Sequence, residues 1–156
     1  VKRSRVGEAN VVDAMESENA VLGGEGNGGI IDPRIVWGRD SQIGMALIVD
    51  YLVRSGSAFS ELLSTIPVYG MHKEKVRLDK QQVTDLSPGL KQHFAGAAFD
   101  EQDGLKCMWP DRWLHVRASG TEPASRIIAE APTLEEASAL AAEARQFLGT
   151  TVITGH

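Results

Sequence analysis

Apolar residues recur with helical spacing in two long segments of the chain. The first runs from Asp40 to Arg54, with Asp40 or Ser41 as a favourable N-cap and Ser55-Gly56-Ser57 as a stop signal. The second opens with Thr133 and Glu136, the two polar ends of a capping box, and ends near Gly149. We predict a helix for each. The predicted inward face of the first comprises Ile43, Leu47, Leu52, Ile48 and Tyr51.

Shorter patterns fill the rest of the chain. Helical spacing over 10–18 and 59–64 predicts two short helices, and Ser87-Pro88 predicts the start of another within 85–93. Residues 104–109 and 113–117 flank a Pro-Asp-Arg turn and predict a β-hairpin, and 126–131 predicts a third strand. Strands followed by a closing helix indicate a small α+β domain with helices on one face of an antiparallel sheet.

The hydrophobic pattern changes after Pro67. Residues 68–79 alternate loosely with lysines and an arginine, as in a strand or an extended connector. We therefore divide the chain into a partial α/β domain over 1–67, a connector over 68–79 and a small α+β domain over 80–156.

Composition is that of a globular protein that does not cross a membrane. Of 156 residues, 42% are hydrophobic and 24% charged, and the net charge of -5 disfavours nucleic acid and anionic membranes as partners. The apolar stretch 45–53 is interrupted by Asp50 and is too short to span a bilayer, and no secretory signal opens the chain. A single cysteine, Cys107, favours a reducing compartment, so we expect the cytoplasm.

The segment 23–29 is rich in glycine and formally matches the dinucleotide fingerprint. The match is spurious because an extended chain, with Ile30, Ile31 and Pro33, follows the loop where the fingerprint needs a helix. Glu25 and Asn27 instead offer a carboxylate and an amide, which together suit the hydroxyls of a sugar. The alternative is a wide hairpin turn with Asn27-Gly28 at positive φ and a solvated Glu25.

A second loop, residues 117–123, joins two predicted strands and reads Arg-Ala-Ser-Gly-Thr-Glu-Pro. Two hydroxyls, a glycine amide and a guanidinium are the groups that cradle a phosphate. The alternative is an ordinary hairpin with solvated arginines. Elsewhere, His72, His93, Cys107 and His115 lack metal-ligand spacing, and no nucleophile is paired with a base.

Taken together, these motifs resemble the C-terminal part of the α-D-phosphohexomutase family, the phosphoglucomutase/phosphomannomutase group. The resemblance is carried, in order, by Val6-Gly7-Glu8, the loop 23–29, Gly38-Arg39-Asp40-Ser41, and the loop 117–123 with Arg126 and Glu130-Ala131. It implies the second half of the family's third domain followed by its whole fourth domain.

The resemblance also implies roles for individual residues. Glu25 and Asn27 would bind the O3 and O4 hydroxyls of the sugar. Arg117, Ser119, Gly120 and Thr121 would bind the phosphate that is not being transferred. Arg126 and Glu8 are further candidate site residues without an assigned ligand group. The family's phosphorylated serine and its Asp-x-Asp-x-Asp magnesium loop are absent from these residues. No catalytic residue and no bound Mg²⁺ are therefore expected here.

The function implied is interconversion of glucose or mannose 1-phosphate and 6-phosphate by the complete enzyme. A phosphoglucosamine mutase and a stand-alone, non-catalytic phosphosugar-binding module remain alternatives. Apolar faces around Val11, Ile30 and Leu47 would lack partners in a partial domain, which predicts self-association or partial disorder of residues 1–66.

Overall fold

The chain folds into two compact units in a computed structural model that describes residues 1–119 and 124–153. The first unit is Val1–Pro67 and the second begins at Val68. The first contains α1 (Glu8–Glu18), β1 (Gly23–Gly24), β2 (Ile30–Ile31), α2 (Ser41–Ser55) and α3 (Phe59–Ser64). β1 and β2 pair as a short antiparallel hairpin.

Helix α2 confirms the predicted boundaries. The Asp40 carboxylate accepts hydrogen bonds from the amides of Gln42 and Ile43 at 2.7 and 3.1 Å, and Gly56, with φ of +68°, ends the helix.

The inward face predicted for α2 is only partly correct. Ile43, Leu47 and Leu52 are half-buried. Ile48 and Tyr51 are exposed by 45% and 54%, so their inward placement is wrong. The two-residue strands of the hairpin are too short to cover a helix of 15 residues. Self-association of this unit stays a prediction. Large apolar side chains on α2 and α3 are exposed and could form such a contact. These are Met45, Ile48, Val49, Tyr51, Val53, Phe59 and Leu63.

The second unit is a five-stranded antiparallel sheet with two helices. Its elements are β3 (Gly70–Val76), α4 (Lys80–His93), β4 (Ala98–Asp100), β5 (Leu105–Met108), β6 (Trp113–Ala118), β7 (Ser125–Ala131) and α5 (Leu134–Phe147). The strand order is β3-β7-β6-β5-β4.

The predicted hairpin, third strand and closing helix are confirmed. Thr133 caps α5, accepting from the Glu136 amide at 3.2 Å while the Glu136 carboxylate accepts from the Thr133 amide. Both helices pack on one face of the sheet, as predicted for this α+β domain. The buried core comprises Val83 and Leu90 of α4, Ala137, Leu140, Ala141 and Ala144 of α5, and Leu105, Cys107, Leu114, Val116, Ile127 and Ala129 of the sheet.

Two predicted boundaries are corrected in this unit. Residues 70–76 form strand β3, paired with β7, so the strand alternative holds for this part of the predicted connector 68–79. Helix α4 begins at Lys80 rather than at Ser87, because Asp79 and Gln82 form a capping box that starts it earlier. Pro88 therefore lies inside the helix.

Candidate functional site

The glycine-rich segment of the first unit forms the turn between β1 and β2. The Glu25 amide donates to the Gly29 carbonyl at 2.9 Å, and the Gly28 amide donates to the Glu25 carbonyl at 3.0 Å. Gly28 adopts φ of +90°, a conformation that glycine reaches without strain, whereas Asn27 does not have a positive φ. Strand β2 follows the turn directly. A dinucleotide fingerprint needs a helix that starts at the loop, so that its N-terminal amides bind the pyrophosphate. No helix starts here, and the dinucleotide interpretation is therefore excluded.

The Glu25 side chain is largely buried in the first unit rather than solvated. It is only 14% exposed, and its Oε2 lies 3.2 Å from Nη1 of Arg39. The same guanidinium donates through Nε to Oε2 of Glu8 at 2.5 Å. Glu25 is therefore held in a chain of charged groups that begins at the first residue of α1.

Asn27 has one half of its side-chain amide engaged in the turn. Its Oδ1 accepts a hydrogen bond from the Gly29 amide at 3.0 Å. The NH₂ group of the exposed side chain is directed away from that bond, so it can donate to a ligand. The loop thus presents an acceptor at Glu25 and a donor at Asn27, as the sugar-binding prediction requires.

The loop borders an open depression of about 480 Å³. This volume is within the range of small-molecule sites. Sequence reasoning assigned no ligand-binding role to Arg39, Asp40 and Ser41, although they belong to the segment 38–41 that carries the family resemblance. The lining consists of Glu8, Asn27, Gly28, Gly29, Arg39, Asp40 and Ser41.

Electrostatics in the depression are dominated by Arg39. Its side-chain hydrogen bond is the main reason why the pKa of Glu8 lies below its ordinary value. The same contact with Glu8, followed by the charge of Glu25, raises the pKa of Arg39. At neutral pH Glu8 is therefore ionised and paired with Arg39 at the edge of the depression.

The predicted phosphate-binding residues lie at the junction of β6 and β7. Arg117 is on β6, with its side chain 18% exposed and Nη1 at 3.5 Å from Oδ2 of Asp103, a contact that the sequence did not indicate. The Ser119 amide donates to the Ala124 carbonyl at 2.8 Å, closing the turn from β6 to β7. The predicted Gly120 and Thr121 lie outside the described residues.

Arg117 belongs to a row of cations across three strands. Lys75 on β3 is paired in register with Arg126 on β7, and Arg126 is paired with Arg117 on β6. Directly paired residues point to the same face of a sheet, here the face opposite the helices. This row, Lys75, Arg126 and Arg117, gives the area around the predicted phosphate loop a positive charge despite the acidic chain as a whole.

The remaining titratable candidates have structural roles. His115 is half-buried and its Nε2 lies 2.6 Å from the Asp103 carbonyl oxygen. Burial lowers the pKa of His115, so the ring is neutral at pH 7. Cys107 is fully buried in the core, which raises the pKa of its thiol to about 11. Within the described ranges, no three His, Cys, Asp or Glu side chains are grouped to hold a metal ion.

Comparison with known proteins matches each unit to a different domain of one family. Residues 1–69 match the sequence model of the phosphoglucomutase/phosphomannomutase alpha/beta/alpha domain III. Residues 74–147 match that of the phosphoglucomutase/phosphomannomutase C-terminal domain.

Individual proteins agree with these matches. A phosphoglucomutase/phosphomannomutase of Thermococcus kodakarensis is 40% identical over 139 residues, covering 88% of this chain and 30% of the relative. A phosphoglucosamine/phosphogalactosamine mutase of Sulfurisphaera tokodaii is 31% identical over 156 residues, covering 93% of the chain and 32% of the relative. A crystal structure of a phosphoglucomutase/phosphomannomutase family protein from Burkholderia thailandensis shares the fold, with a TM-score of 0.77 at 24% identity, covering 94% of this chain and 33% of that one.

Two domains of the phosphohexomutase type, in the family's order, thus account for nearly all of the sequence. The chain belongs to the phosphoglucomutase/phosphomannomutase family and corresponds to its C-terminal part. It spans about a third of the length of the curated relatives that it matches. Among the described residues, no helix is both long enough and apolar enough to cross a membrane.

Proposed function

We propose that this chain forms the sugar- and phosphate-binding part of a phosphohexomutase. The complete enzyme would interconvert hexose 1-phosphate and hexose 6-phosphate through a phosphoserine and a bisphosphate intermediate. The observation that carries the proposal is the glycine-rich loop at the edge of the depression, where the Glu25 carboxylate offers an acceptor and the Asn27 side-chain amide offers a donor. The catalytic serine would lie in the part of the protein that this chain does not include.

In the first unit, the proposed task is recognition of hydroxyl groups. A sugar hydroxyl donates one hydrogen bond and accepts others, so it can bind the Glu25 carboxylate and the Asn27 amide together. Neither group needs to transfer a proton. Their contribution to the rate is to hold the sugar in a reactive orientation, which converts binding energy into positioning.

In the second unit, the proposed task is to hold the phosphate group that is not being transferred. Arg117 can donate two parallel N–H bonds to phosphate oxygens, and the Ser119 hydroxyl can add another. Each charge-assisted hydrogen bond contributes roughly 1.5 to 3 kcal/mol. The proposed ligands of this unit are Arg117, Ser119, Gly120 and Thr121, with Arg126 as a further source of positive charge.

A mutase that uses a bisphosphate intermediate must bind the sugar in two opposite orientations. O3 and O4 can exchange places when the sugar turns over, so a loop that reads these hydroxyls serves both orientations. Such a loop makes no contact with the hydroxyl at C2, the carbon at which glucose and mannose differ. Glucose and mannose phosphates would therefore both be accepted. No nucleic acid and no membrane are proposed as partners, because the chain carries a net charge of -5.

The family resemblance implies a magnesium ion in the complete enzyme. The described residues do not fit such a site, since they contain no group of three metal-binding side chains. We therefore propose that any magnesium is bound by another part of the protein, and no step is assigned to it here. The buried, unpaired Cys107 suits the reducing cytoplasm that we propose as the location.

An amino sugar phosphate is a second candidate substrate. The lining of the depression includes two carboxylates, those of Glu8 and Asp40, against the single guanidinium of Arg39, and the carboxylate of Glu25 lies 3.2 Å from that guanidinium. This excess of negative charge would favour a ligand with an ammonium group. The relative from Sulfurisphaera tokodaii is itself described as a phosphoglucosamine/phosphogalactosamine mutase.

The test is to express the complete protein that contains this chain and to measure kcat/KM for glucose, mannose and glucosamine 1-phosphates. The variant Glu25→Gln should lose at least tenfold in kcat/KM, because a neutral amide replaces the charged acceptor. Binding of these phosphates without turnover, in a complete protein that lacks a serine and a metal loop, would support the stand-alone module instead. The proposal would be refuted if the complete protein neither turned over nor bound any of these phosphates.

A further inference from the structure

The Arg39 side chain connects three separate segments of the first unit. Its Nε donates to Oε2 of Glu8 at 2.5 Å, its Nη1 lies 3.2 Å from Oε2 of Glu25, and its backbone amide donates to Oε1 of Glu8 at 3.4 Å. Glu8 begins α1, Glu25 lies in the hairpin loop, and Arg39 directly precedes the N-cap of α2. The carboxylate of Glu25 is thus oriented by an arginine that is itself held by a second carboxylate.

Gly29 provides the space through which the arginine passes. A Cβ atom added to Gly29 would lie 2.4 Å from Cδ and 2.9 Å from Cγ of Arg39, distances that real Cβ contacts do not show. The φ of Gly29 is not positive, so its backbone would accept alanine without strain. The main obstacle to a side chain at this position is therefore Arg39, and Oδ1 of Asn27, 3.2 Å from the added Cβ, is a smaller one.

Only one oxygen of Glu25 is used in this arrangement. Among the described residues, the ion pair joins Nη1 of Arg39 to Oε2, and no contact engages Oε1. A carboxylate fixed through one oxygen presents the other in a defined direction.

We propose that Arg39 is a positioning residue for the sugar-binding carboxylate of Glu25, that Glu8 acts through Arg39, and that the glycine at position 29 is required mainly because Arg39 crosses it. This inference rests on the proposed function, since it concerns how the same site orients its sugar. Arg39 acts through Glu25 and needs no contact with the substrate.

The experiment is a double-mutant cycle in the complete protein, with KM and kcat measured for glucose 1-phosphate. Arg39→Ala should raise KM about tenfold, and Glu8→Gln about threefold. The double variant of Glu8 and Arg39 should match Arg39→Ala alone, because Glu8 is proposed to act through Arg39. Arg54→Ala, an exposed arginine paired with Asp50 on α2, is the control and should change KM less than twofold.

The variant Gly29→Ala gives the more specific test, because its effect on KM should depend on the presence of Arg39. It should raise KM about three- to tenfold in the wild-type background and less than about twofold when combined with Arg39→Ala, where the contact with Asn27 Oδ1 at 3.2 Å remains. Gly26→Ala is the matched control in the same loop, because a Cβ there would meet nothing within 4 Å. An equal effect of Gly29→Ala in both backgrounds, or an unchanged KM for Arg39→Ala, would overturn the inference.

A readout that does not depend on activity separates this inference from the proposed function. NMR titration of the Glu8 carboxyl should show a pKa below its ordinary value in the wild type. Arg39→Ala and Gly29→Ala should both raise that pKa, and Gly26→Ala should leave it in place. If the wild-type protein turns over no hexose phosphate, the proposed function fails, and with it the sugar-positioning role. A Glu8 pKa unchanged in Gly29→Ala would contradict the displacement of Arg39 itself.

Discussion

Replacement of Arg117 by alanine tests the phosphate assignment most directly. Within residues 1–119 and 124–153, the anionic contact of this guanidinium is a weak one, at 3.5 Å from the Asp103 carboxylate, so it gives up little when it binds a ligand. Loss of one charge-assisted hydrogen bond costs roughly 1.5 to 3 kcal/mol. Since each 1.36 kcal/mol is a factor of ten, we expect KM for hexose 1-phosphate to rise about 10- to 100-fold.

The assay is steady-state turnover of the complete protein, with kcat and KM determined separately. A group that only holds a non-reacting phosphate binds the ground state and the transition state alike, so KM should change far more than kcat. Arg117→Lys should recover part of the loss, because it keeps the charge without the planar fork. Arg112→Ala is the matched control at the other end of β6, where the guanidinium lies 5.4 Å from the Trp109 ring.

The result that would refute this reasoning is a KM within twofold of the wild type for Arg117→Ala, in a protein with an unchanged melting temperature. A fall in kcat at constant KM would also contradict it, because it would indicate a role in the chemical step. Arg126→Ala, which removes only a neighbouring exposed charge, should lie between the control and Arg117→Ala.

Three further predictions concern the second unit. Ser125→Ala should lower the free energy of unfolding by about 1 to 3 kcal/mol in urea titrations, because the buried hydroxyl donates to the Leu78 carbonyl at 2.8 Å and that acceptor would be left unsatisfied; no change would mean that another donor replaces it. Cys107 should resist Ellman's reagent in the native protein and react fully in denaturant, since its thiol is buried with a pKa of about 11; rapid native labelling would contradict this burial. Burial lowers the pKa of His115, so the unfolded chain binds its proton more readily and stability should fall as pH drops below about 6.5; His115→Gln should reduce that loss, and an identical pH profile would rule out His115 as its source.

Long elements with end signals were predictable from local chemistry. The helix from Ser41 and the helix from Leu134 each have a capping residue, an apolar stripe and a defined end, and both were placed within a residue or two. The predicted start of α4 was wrong for a related reason. Ser87-Pro88 is a plausible local start, but the capping box of Asp79 and Gln82 lies a full two turns earlier and prevails.

Burial was harder to predict than secondary structure. The outward orientation of Ile48 and Tyr51 depends on which surfaces meet α2, and the helical period alone does not contain that information. In the candidate site, the loop residues Glu25 and Asn27 could be identified from composition and family resemblance. The role of Arg39 could not, because its contacts with Glu8 and Glu25 join positions far apart in the sequence.

The row of Lys75, Arg126 and Arg117 has a consequence for the stability of the second unit. Like charges directly opposite each other on neighbouring strands destabilise a sheet by roughly 0.2 to 1 kcal/mol per pair. Arg126 and Arg117 form such a pair, which the Asp103 carboxylate at 3.5 Å from Arg117 offsets in part. An anion bound near the row would relieve this repulsion in addition to making its own hydrogen bonds. The folded unit should therefore melt at a higher temperature in phosphate than in chloride at equal ionic strength. Substrate binding and stability of the sheet would then be coupled through the same cations.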